Sequence, residues 1–195
     1  MKHRLETEIK LAVGDVKAIR RRFAELGFRP AQARHFESNY LFDFPDQRLR
    51  KSRCLLRLRY ADEQGLLTFK GAPLVSRNYK IRREIETHVQ DGHLLREILL
   101  LLGLREVFRY EKFRTVYAPH GKRGVLEAPQ VVLDETPIGI FVELEGPQHW
   151  IDEAARQLGY SRREYITESY ATLYRRWCEA SHKKPGNMIF PARVS

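Results

Sequence analysis

A chain of 195 residues, 43% of them hydrophobic, is long enough for one domain with a sizeable core, and its longest apolar run, Ile98 to Leu102, is too short to cross a bilayer. Two cysteines without metal-ligand spacing predict neither a disulfide framework nor a structural zinc site, and we expect a soluble, cytoplasmic protein. The formal net charge of +10 favours an anionic partner, such as nucleic acid, an acidic membrane surface or a phosphorylated small molecule.

Helices are predicted where apolar residues recur at helical spacing. The first covers residues 16–26: it begins after Asp15, a good N-cap, and stops at a glycine. The same pattern returns at 91–103 and 147–159, and both segments end in Leu-Gly. A last helix is predicted over 163–180.

Between the helices lie runs in which apolar and polar residues alternate with a period of two, the pattern of a half-buried strand. Together with the opening run at 6–13, these runs are 36–44, 53–60, 66–70, 79–89, 107–118, 125–134 and 140–145. Their short, turn-rich links favour antiparallel hairpins over parallel crossovers. Since no low-complexity linker interrupts the runs, we predict a single domain over residues 1–180 and a C-terminal tail at 181–195.

One face of each predicted strand is charged, because residues two apart in a strand point to the same side of the sheet. In the first strand this face carries Glu6, Glu8 and Lys10. The corresponding faces of the later strands carry Arg57, Arg59, Lys70, Lys80, Arg82, Glu84, Glu86, Lys112, Arg114, Asp134, Glu143 and Glu145. For any single strand, the charged face could simply be the side of an antiparallel sheet that faces solvent. This explanation fits poorly when the strands are taken together, because acidic and basic residues occupy almost every position of the same face.

A closed sheet explains the charged face better. If the eight strands form a barrel with helices packed on its exterior, the charged face lines the lumen and the apolar face lies under the helices. So many charges can be enclosed only if acids, bases, metal ions and a charged ligand neutralise one another. The sequence therefore predicts an α+β fold, a closed eight-stranded antiparallel β-barrel, with a wet lumen that binds a ligand.

The residue types in this lumen indicate its ligands. Clustered carboxylates without cysteine or spaced histidine suit Mg²⁺ or Mn²⁺, and clustered Arg and Lys suit phosphate oxygens. No P-loop or Rossmann motif occurs in the sequence, and the aromatic residues fall at core spacings, which argues against nucleic acid as a partner. The histidines, His35 and His88 among them, lack metal spacing and are predicted to be surface or interface residues.

The segment Glu6-Thr7-Glu8-Ile9-Lys10 has the form E-x-E-x-K and resembles the signature of the CYTH family, also called triphosphate tunnel metalloenzymes. The resemblance continues in family order through NYLFDFPDQRLRKSRCLLRLRY, LTFKG, RREIE, YEKFRTVY, LDETPIGIFVELEG and YITESYATLY, and covers residues 4–175. This family includes class IV adenylyl cyclases, thiamine triphosphatases and inorganic triphosphatases.

The resemblance implies an eight-stranded tunnel in which acids hold one or two divalent metal ions, Mg²⁺ or Mn²⁺, and bases hold a triphosphate. Carried over by position, the metal ligands are Glu6, Glu8, Asp134, Glu143 and Glu145, with Glu84 and Glu86 as further acids of the lumen. The triphosphate would be bound by Lys10, Arg57, Arg59, Lys70, Arg82, Lys112 and Arg114. The expected catalytic residues are Glu6, Glu8, Lys10 and Glu145.

The resemblance leaves the reaction open. A triphosphatase directs water at a terminal phosphorus, whereas a cyclase directs the ribose 3′-hydroxyl of ATP at the α-phosphorus and releases pyrophosphate. Cyclases of the family resemble one another in a segment similar to F-x-Q-x-D-x-Y-F, and the stretch Phe36 to Asp43 lacks Gln and Asp at the corresponding places.

We therefore expect a triphosphatase that acts on tripolyphosphate, thiamine triphosphate or ATP. A class IV adenylyl cyclase is the alternative. A third hypothesis is a non-enzymatic binder of polyphosphate or RNA 5′-triphosphate, motivated by the excess positive charge. No membrane partner is expected, and the sequence is compatible with a homodimer.

Overall fold

The computed structural model describes residues 4–61, 64–119 and 129–191. Within these ranges the strands are β1 (Arg4–Val13), β2 (Phe28–Asp43), β3 (Leu55–Ala61), β4 (Gln64–Lys70), β5 (Lys80–Val89), β6 (Arg105–Pro119), β7 (Gln130–Thr136) and β8 (Gly139–Glu145). The helices of the same ranges are α1 (Val16–Glu25), α2 (Arg48–Lys51), α3 (Gly92–Leu101), α4 (Gln148–Gln157) and α5 (Tyr170–Ala180).

The strands form one closed barrel in the order β1-β5-β4-β3-β2-β6-β7-β8, and β8 pairs back onto β1. Every pairing is antiparallel. This confirms the predicted closed eight-stranded antiparallel barrel. Closure removes the exposed sheet edges and separates an inner face from an outer face along each strand.

The hydrophobic core lies outside the barrel wall. Ile9, Leu133 and Leu144 point outward and belong to one buried cluster with Phe23 of α1 and Ile151 of α4. A second buried cluster joins the wall strands β2 and β3 to α3. The helices therefore cover the apolar face of the sheet, as the alternation of residues predicts.

The predicted helix ends follow from local hydrogen bonding. The Asp15 carboxylate accepts from the backbone N–H groups of Lys17 and Ala18, and Asp91 likewise accepts from Leu94 N–H. After α1 the chain turns at Gly27 with φ +78°, a conformation that favours glycine, which accounts for the Leu-Gly endings of the helices.

The prediction of one helix over 163–180 is wrong at its beginning. Residues Arg162–Glu164 form a single 3₁₀ turn, and α5 starts only at Tyr170. Between them, Ile166 exchanges two backbone hydrogen bonds with Lys10, at 2.8 and 2.9 Å. Ser169 then caps α5 by accepting from a backbone N–H of its first turn. Pairing with β1 thus overrides the helical spacing of this segment.

Three other elements differ from the prediction. β2 begins at Phe28, eight positions before the predicted strand, because polar residues hide the alternation while pairing with β6 extends the strand. The short helix α2 occupies a predicted turn, held by Asp43, whose carboxylate accepts from the backbone of Leu49 and Arg50. The predicted strand at 125–134 begins outside the described residues, and β7 starts at Gln130.

The described part of the predicted C-terminal tail contacts the barrel. Met188 is buried and pairs with β6, where its carbonyl accepts from Glu111 N–H at 2.9 Å and its N–H donates to the Arg109 carbonyl at 3.0 Å. Among the described residues, no helix has the length and apolar character needed to span a membrane.

Candidate functional site

The barrel encloses a cavity of about 1080 Å³ lined by the charged face of the strands. Its lining includes the predicted residues Glu6, Glu8, Lys10, Arg57, Arg59, Lys70, Arg82, Glu84, Glu86, Lys112, Arg114, Glu143 and Glu145. Asp134 lies directly behind this lining, hydrogen-bonded to Lys112 and Arg114. The structure therefore brings all the predicted site residues to one place, although their individual roles stay predictions.

Three carboxylates converge where the first strand meets the last. Glu8 of β1 lies directly opposite Glu145 of β8, and Glu6 shares the face of Glu8. Oxygen atoms of the three side chains lie within 4.8 Å of one another. This set is called the acidic cluster below. A divalent cation with ligand distances of about 2.0–2.6 Å can contact oxygens at such separations, and carboxylates are ligands that Mg²⁺ and Mn²⁺ prefer.

The acidic cluster is not fully neutralised by the protein. Burial, together with the carboxylates of Glu6 and Glu143, raises the pKa of Glu145 to about 7. Burial also opposes ionisation of Glu8, but the ammonium groups of Lys10 and Lys80 outweigh it and hold the pKa of Glu8 well below its usual range. In the described part of the chain no cation forms an ion pair with Glu145, so the cluster has room for a positive charge.

The other predicted metal ligands have different surroundings. Glu143 forms an ion pair with Lys10 at 3.1 Å and another with Arg114, and these cations hold its pKa well below its usual range despite burial. Glu84 lies 3.2 Å from Lys70, yet burial and the neighbouring Glu6 raise its pKa to about 8.

Glu86 accepts a hydrogen bond from Thr68 at 2.7 Å and has an ion pair with Arg57 at 3.4 Å. The carboxylate of Asp134 accepts from Lys112, Arg114 and Tyr170 at 2.7–2.8 Å. The geometry thus ranks the acidic cluster ahead of Asp134, Glu143 and Glu86 as a place for a metal ion.

The basic residues leave donors available to an anion. The Nε atoms of Arg57 and Arg82 and the Nδ2 atom of Asn39 are buried, and none has a hydrogen-bond partner within the described ranges. Buried donors in native proteins are nearly always paired. An anion with several acceptor oxygens could accept hydrogen bonds from these donors, and a polyphosphate is such an anion.

Two lysines link the basic and acidic parts of the lumen. Lys70 Nζ lies 2.5 Å from Glu6 Oε2, and Lys80 Nζ lies 2.5 Å from Glu8 Oε1. Lys80 appears on the charged face of its strand in the sequence but was not among the predicted site residues. Lys80 lines the cavity, so the alternation of residues along its strand is enough to predict it as a residue of the lumen.

The site predictions also missed residues of β2. Glu37 is buried and forms ion pairs with Lys112 at 3.5 Å and Arg59 at 3.4 Å; these cations outweigh burial and keep its pKa well below the usual range. The prediction that His35 is a surface or interface residue is wrong, because it lines the cavity with Nε2 3.4 Å from Glu37, a contact that raises the pKa of His35. His35, Glu37 and Asn39 alternate along β2, so the same parity rule could have found them.

Tyr170, the first residue of α5, lines the lumen. Its hydroxyl donates to Asp134 Oδ2 at 2.8 Å, and its ring centroid lies 5.2 Å from Lys10 Nζ and 5.4 Å from Lys112 Nζ. The helix predicted over residues 163–180 includes Tyr170 well inside its bounds. No sequence signal distinguishes it from a core aromatic residue, because its position depends on where α5 begins.

Comparison with known proteins agrees with this architecture. Residues 4–170 match the family model described as the CYTH domain. A proposed adenylate cyclase of Methanocaldococcus jannaschii is 31% identical over 179 residues, which cover 87% of this chain and 98% of that protein.

Solved structures include a proposed adenylate cyclase from Vibrio parahaemolyticus, with a TM-score of 0.74 at 19% identity, over 88% of this chain and 98% of that one. Another is a proposed adenylyl cyclase from Hippeastrum, described as having a dominant triphosphatase activity. Its TM-score is 0.63 at 19% identity, and the match covers 92% of this chain and 97% of that one.

Proposed function

This chain belongs to the CYTH domain family, and we propose that it is a divalent-metal-dependent triphosphatase that cleaves a triphosphate bound in the barrel lumen. The observation that carries the proposal is the arrangement of charge in one cavity. The acidic cluster lacks full neutralisation, while Arg57 and Arg82 line the same cavity and each keeps a buried Nε donor without a hydrogen-bond partner among the described residues.

The residues of the chain would bind and orient the triphosphate. The planar guanidinium groups of Arg57 and Arg82 suit contacts with phosphate oxygens, and Lys70 and Lys80 add point charges beside the acids. The ion pairs of Asp134 and Glu37 hold Lys112 and Arg114 toward the lumen.

The acidic cluster, Glu6, Glu8 and Glu145, would hold Mg²⁺ or Mn²⁺. Such an ion, when bound, neutralises charge that develops on the phosphoryl oxygens. The protein's own part is to place fixed charges on both sides of the phosphate chain before the reaction begins.

A triphosphatase is favoured over a cyclase by the sequence of β2. At the places where the cyclase-like segment has Gln and Asp, this strand has Ser38 and Tyr40, and Tyr40 packs in the apolar cluster outside the barrel wall. The Hippeastrum protein is consistent with this preference, since its description joins the name of a cyclase to a triphosphatase activity.

A class IV adenylyl cyclase remains the alternative, and the name of the Methanocaldococcus jannaschii relative favours it.

The metal requirement separates both enzymes from a non-enzymatic binder. We expect phosphate release from tripolyphosphate with Mg²⁺ or Mn²⁺ and none in EDTA. Metal-independent binding with a steep salt dependence and no turnover would overturn the proposal in favour of the binder.

The pH dependence of stability gives a separate prediction for the metal-free protein. A carboxyl whose pKa is raised by folding stabilises the protein below its unfolded pKa, and this stabilisation is lost as pH rises through the folded pKa. For Glu145, with a folded pKa of about 7, the loss therefore falls between about pH 4.5 and 7 and amounts to at most about 3 kcal/mol.

We expect the Tm in EDTA to fall as the pH rises from 5 to 7, and the Glu145→Gln variant to lose less Tm over this range. Thermal melts of both proteins monitored by circular dichroism would measure the difference. If the Tm of the wild type and of the variant fell equally with pH, the prediction would be wrong, and Glu145 would not carry uncompensated charge.

A further inference from the structure

Helix α3 has more apolar surface than the barrel covers. Leu95 and Leu99 face the wall and pack with Phe42 and Leu58. On the adjoining side of the same helix and its C-cap, Leu94, Ile98, Leu101 and Leu102 are exposed by 58%, 51%, 87% and 67%. A helix that is apolar on most sides is ordinarily buried. The second apolar face of α3 is instead exposed, and no element of the described residues covers it.

The four exposed side chains form one stripe. Their spacings of four, seven and eight residues from Leu94 place them on the same side of the helix. At these exposures the stripe presents roughly 450 Å² of mostly apolar surface, which is more than half of the ~800 Å² that each partner buries in a typical stable interface. Exposed polar residues beside it, including Glu97 and Arg105, would supply a rim.

The stripe is self-complementary about its central residue. Leu94 and Leu102 each lie four residues from Ile98, so two copies of α3 that cross in antiparallel fashion about Ile98 bring Leu94 of one copy against Leu102 of the other. A two-fold interface requires this self-complementarity. We infer that the exposed face of α3 is the interface of a homodimer, with Ile98 at the two-fold axis.

The charges around the stripe favour a second copy over other occupants. Glu97 and Arg105 have opposite signs, and Arg96 forms an ion pair with Glu106. The surface is thus locally balanced although the chain carries a formal charge of +10. An acidic protein or an anionic lipid surface would be matched by a basic rim, which this face does not have.

The inference does not depend on the proposed function. Helix α3 contacts the outer side of β3 and β4, with the barrel wall between the stripe and the lumen. Dimerisation through α3 therefore leaves the cavity accessible, and variants of the stripe should retain the activity of the wild-type protein.

Sedimentation equilibrium of the full chain at about 1–100 μM tests the interface. We expect a wild-type dimer that tightens with added salt, because salt screens the repulsion between two chains of formal charge +10. Ile98→Asp and Leu101→Asp should be monomers, and their Tm should not change with protein concentration, whereas the wild-type Tm should rise as the dimer forms. The matched control is Val75→Asp, which alters a fully exposed apolar residue in the β4–β5 connection and should remain a dimer.

A monomeric wild-type protein at about 100 μM, or dimers that persist in both α3 variants, would overturn the proposal. The axis has its own test in a Cys54→Ser/Cys178→Ala background. Ile98→Cys should give a disulfide-linked dimer on mild oxidation, whereas Val75→Cys should not. Crosslinking through position 75 and not through position 98 would contradict the proposed axis.

Discussion

Glu145→Gln should abolish phosphate release from tripolyphosphate in Mg²⁺ or Mn²⁺ and leave the protein folded. The substitution keeps the size of the side chain and removes one charge from the acidic cluster, where its oxygen lies within 4.8 Å of those of Glu6 and Glu8. Since no described cation forms an ion pair with Glu145, no buried partner is left uncompensated. We expect the metal-free variant to be at least as stable as wild type at pH 8.

The decisive comparison is activity and melting temperature measured on the same preparation. Glu179→Gln, an exposed acid near the end of α5, is the control and should retain full activity. Full activity in Glu145→Gln would contradict the assignment of the acidic cluster. Lost activity together with lost structure would be uninformative in most variants, but here the expected gain in stability makes that outcome a contradiction as well.

Glu8→Gln should abolish activity too, with a cost in stability that Glu145→Gln does not have. Glu8 forms ion pairs with Lys10 and Lys80, and its removal leaves Lys80 without a carboxylate partner among the described residues. Lys10 keeps its ion pair with Glu143 at 3.1 Å. A lower Tm for Glu8→Gln than for Glu145→Gln would distinguish the two roles.

Arg57→Ala should lower kcat/KM for tripolyphosphate by about 10²-fold or more, the loss expected when a donor to developing phosphoryl charge is removed. Arg57 is buried, reaches Thr68 Oγ1 at 3.1 Å, and keeps Nε unpaired for a ligand. Its carboxylate neighbour, Glu86, is partly exposed and can be solvated when Arg57 is absent. We therefore expect the variant to fold.

Steady-state kinetics of Arg57→Ala, Arg57→Lys and Arg21→Ala would test this role. Lysine restores the charge without the planar group and should recover only part of the activity. Arg21 lies on the exposed side of α1 and serves as the charge-matched control, with no expected loss. An equal loss in Arg21→Ala would indicate that net charge, rather than a contact in the lumen, governs binding.

The fold could be predicted from sequence because two independent patterns agree. Alternation along the strands separates charged from apolar faces, and the amphipathic helices need an apolar surface to cover. A closed barrel satisfies both. The start of α5 could not be predicted, since it depends on backbone pairing between Ile166 and Lys10, which are far apart in the chain.

The candidate site was predictable by face but not by register. The strand pattern places Glu8 and Glu145 toward the lumen, whereas their direct opposition depends on how β8 closes onto β1. Tyr170 was hidden among core aromatics for the same reason, because a helix pattern does not show which residue reaches Asp134. Contacts that form only when the barrel closes can be recognised from the structure but not from the sequence pattern.

The most direct test of the account is the set of products that the wild-type protein forms from tripolyphosphate, thiamine triphosphate and ATP in Mg²⁺ or Mn²⁺. Phosphorus NMR and chromatography would resolve orthophosphate, pyrophosphate and cyclic AMP in parallel reactions. We predict orthophosphate from tripolyphosphate or thiamine triphosphate, without cyclic AMP from ATP. Pyrophosphate and cyclic AMP from ATP, with tripolyphosphate and thiamine triphosphate left intact, would contradict a triphosphatase and identify a cyclase.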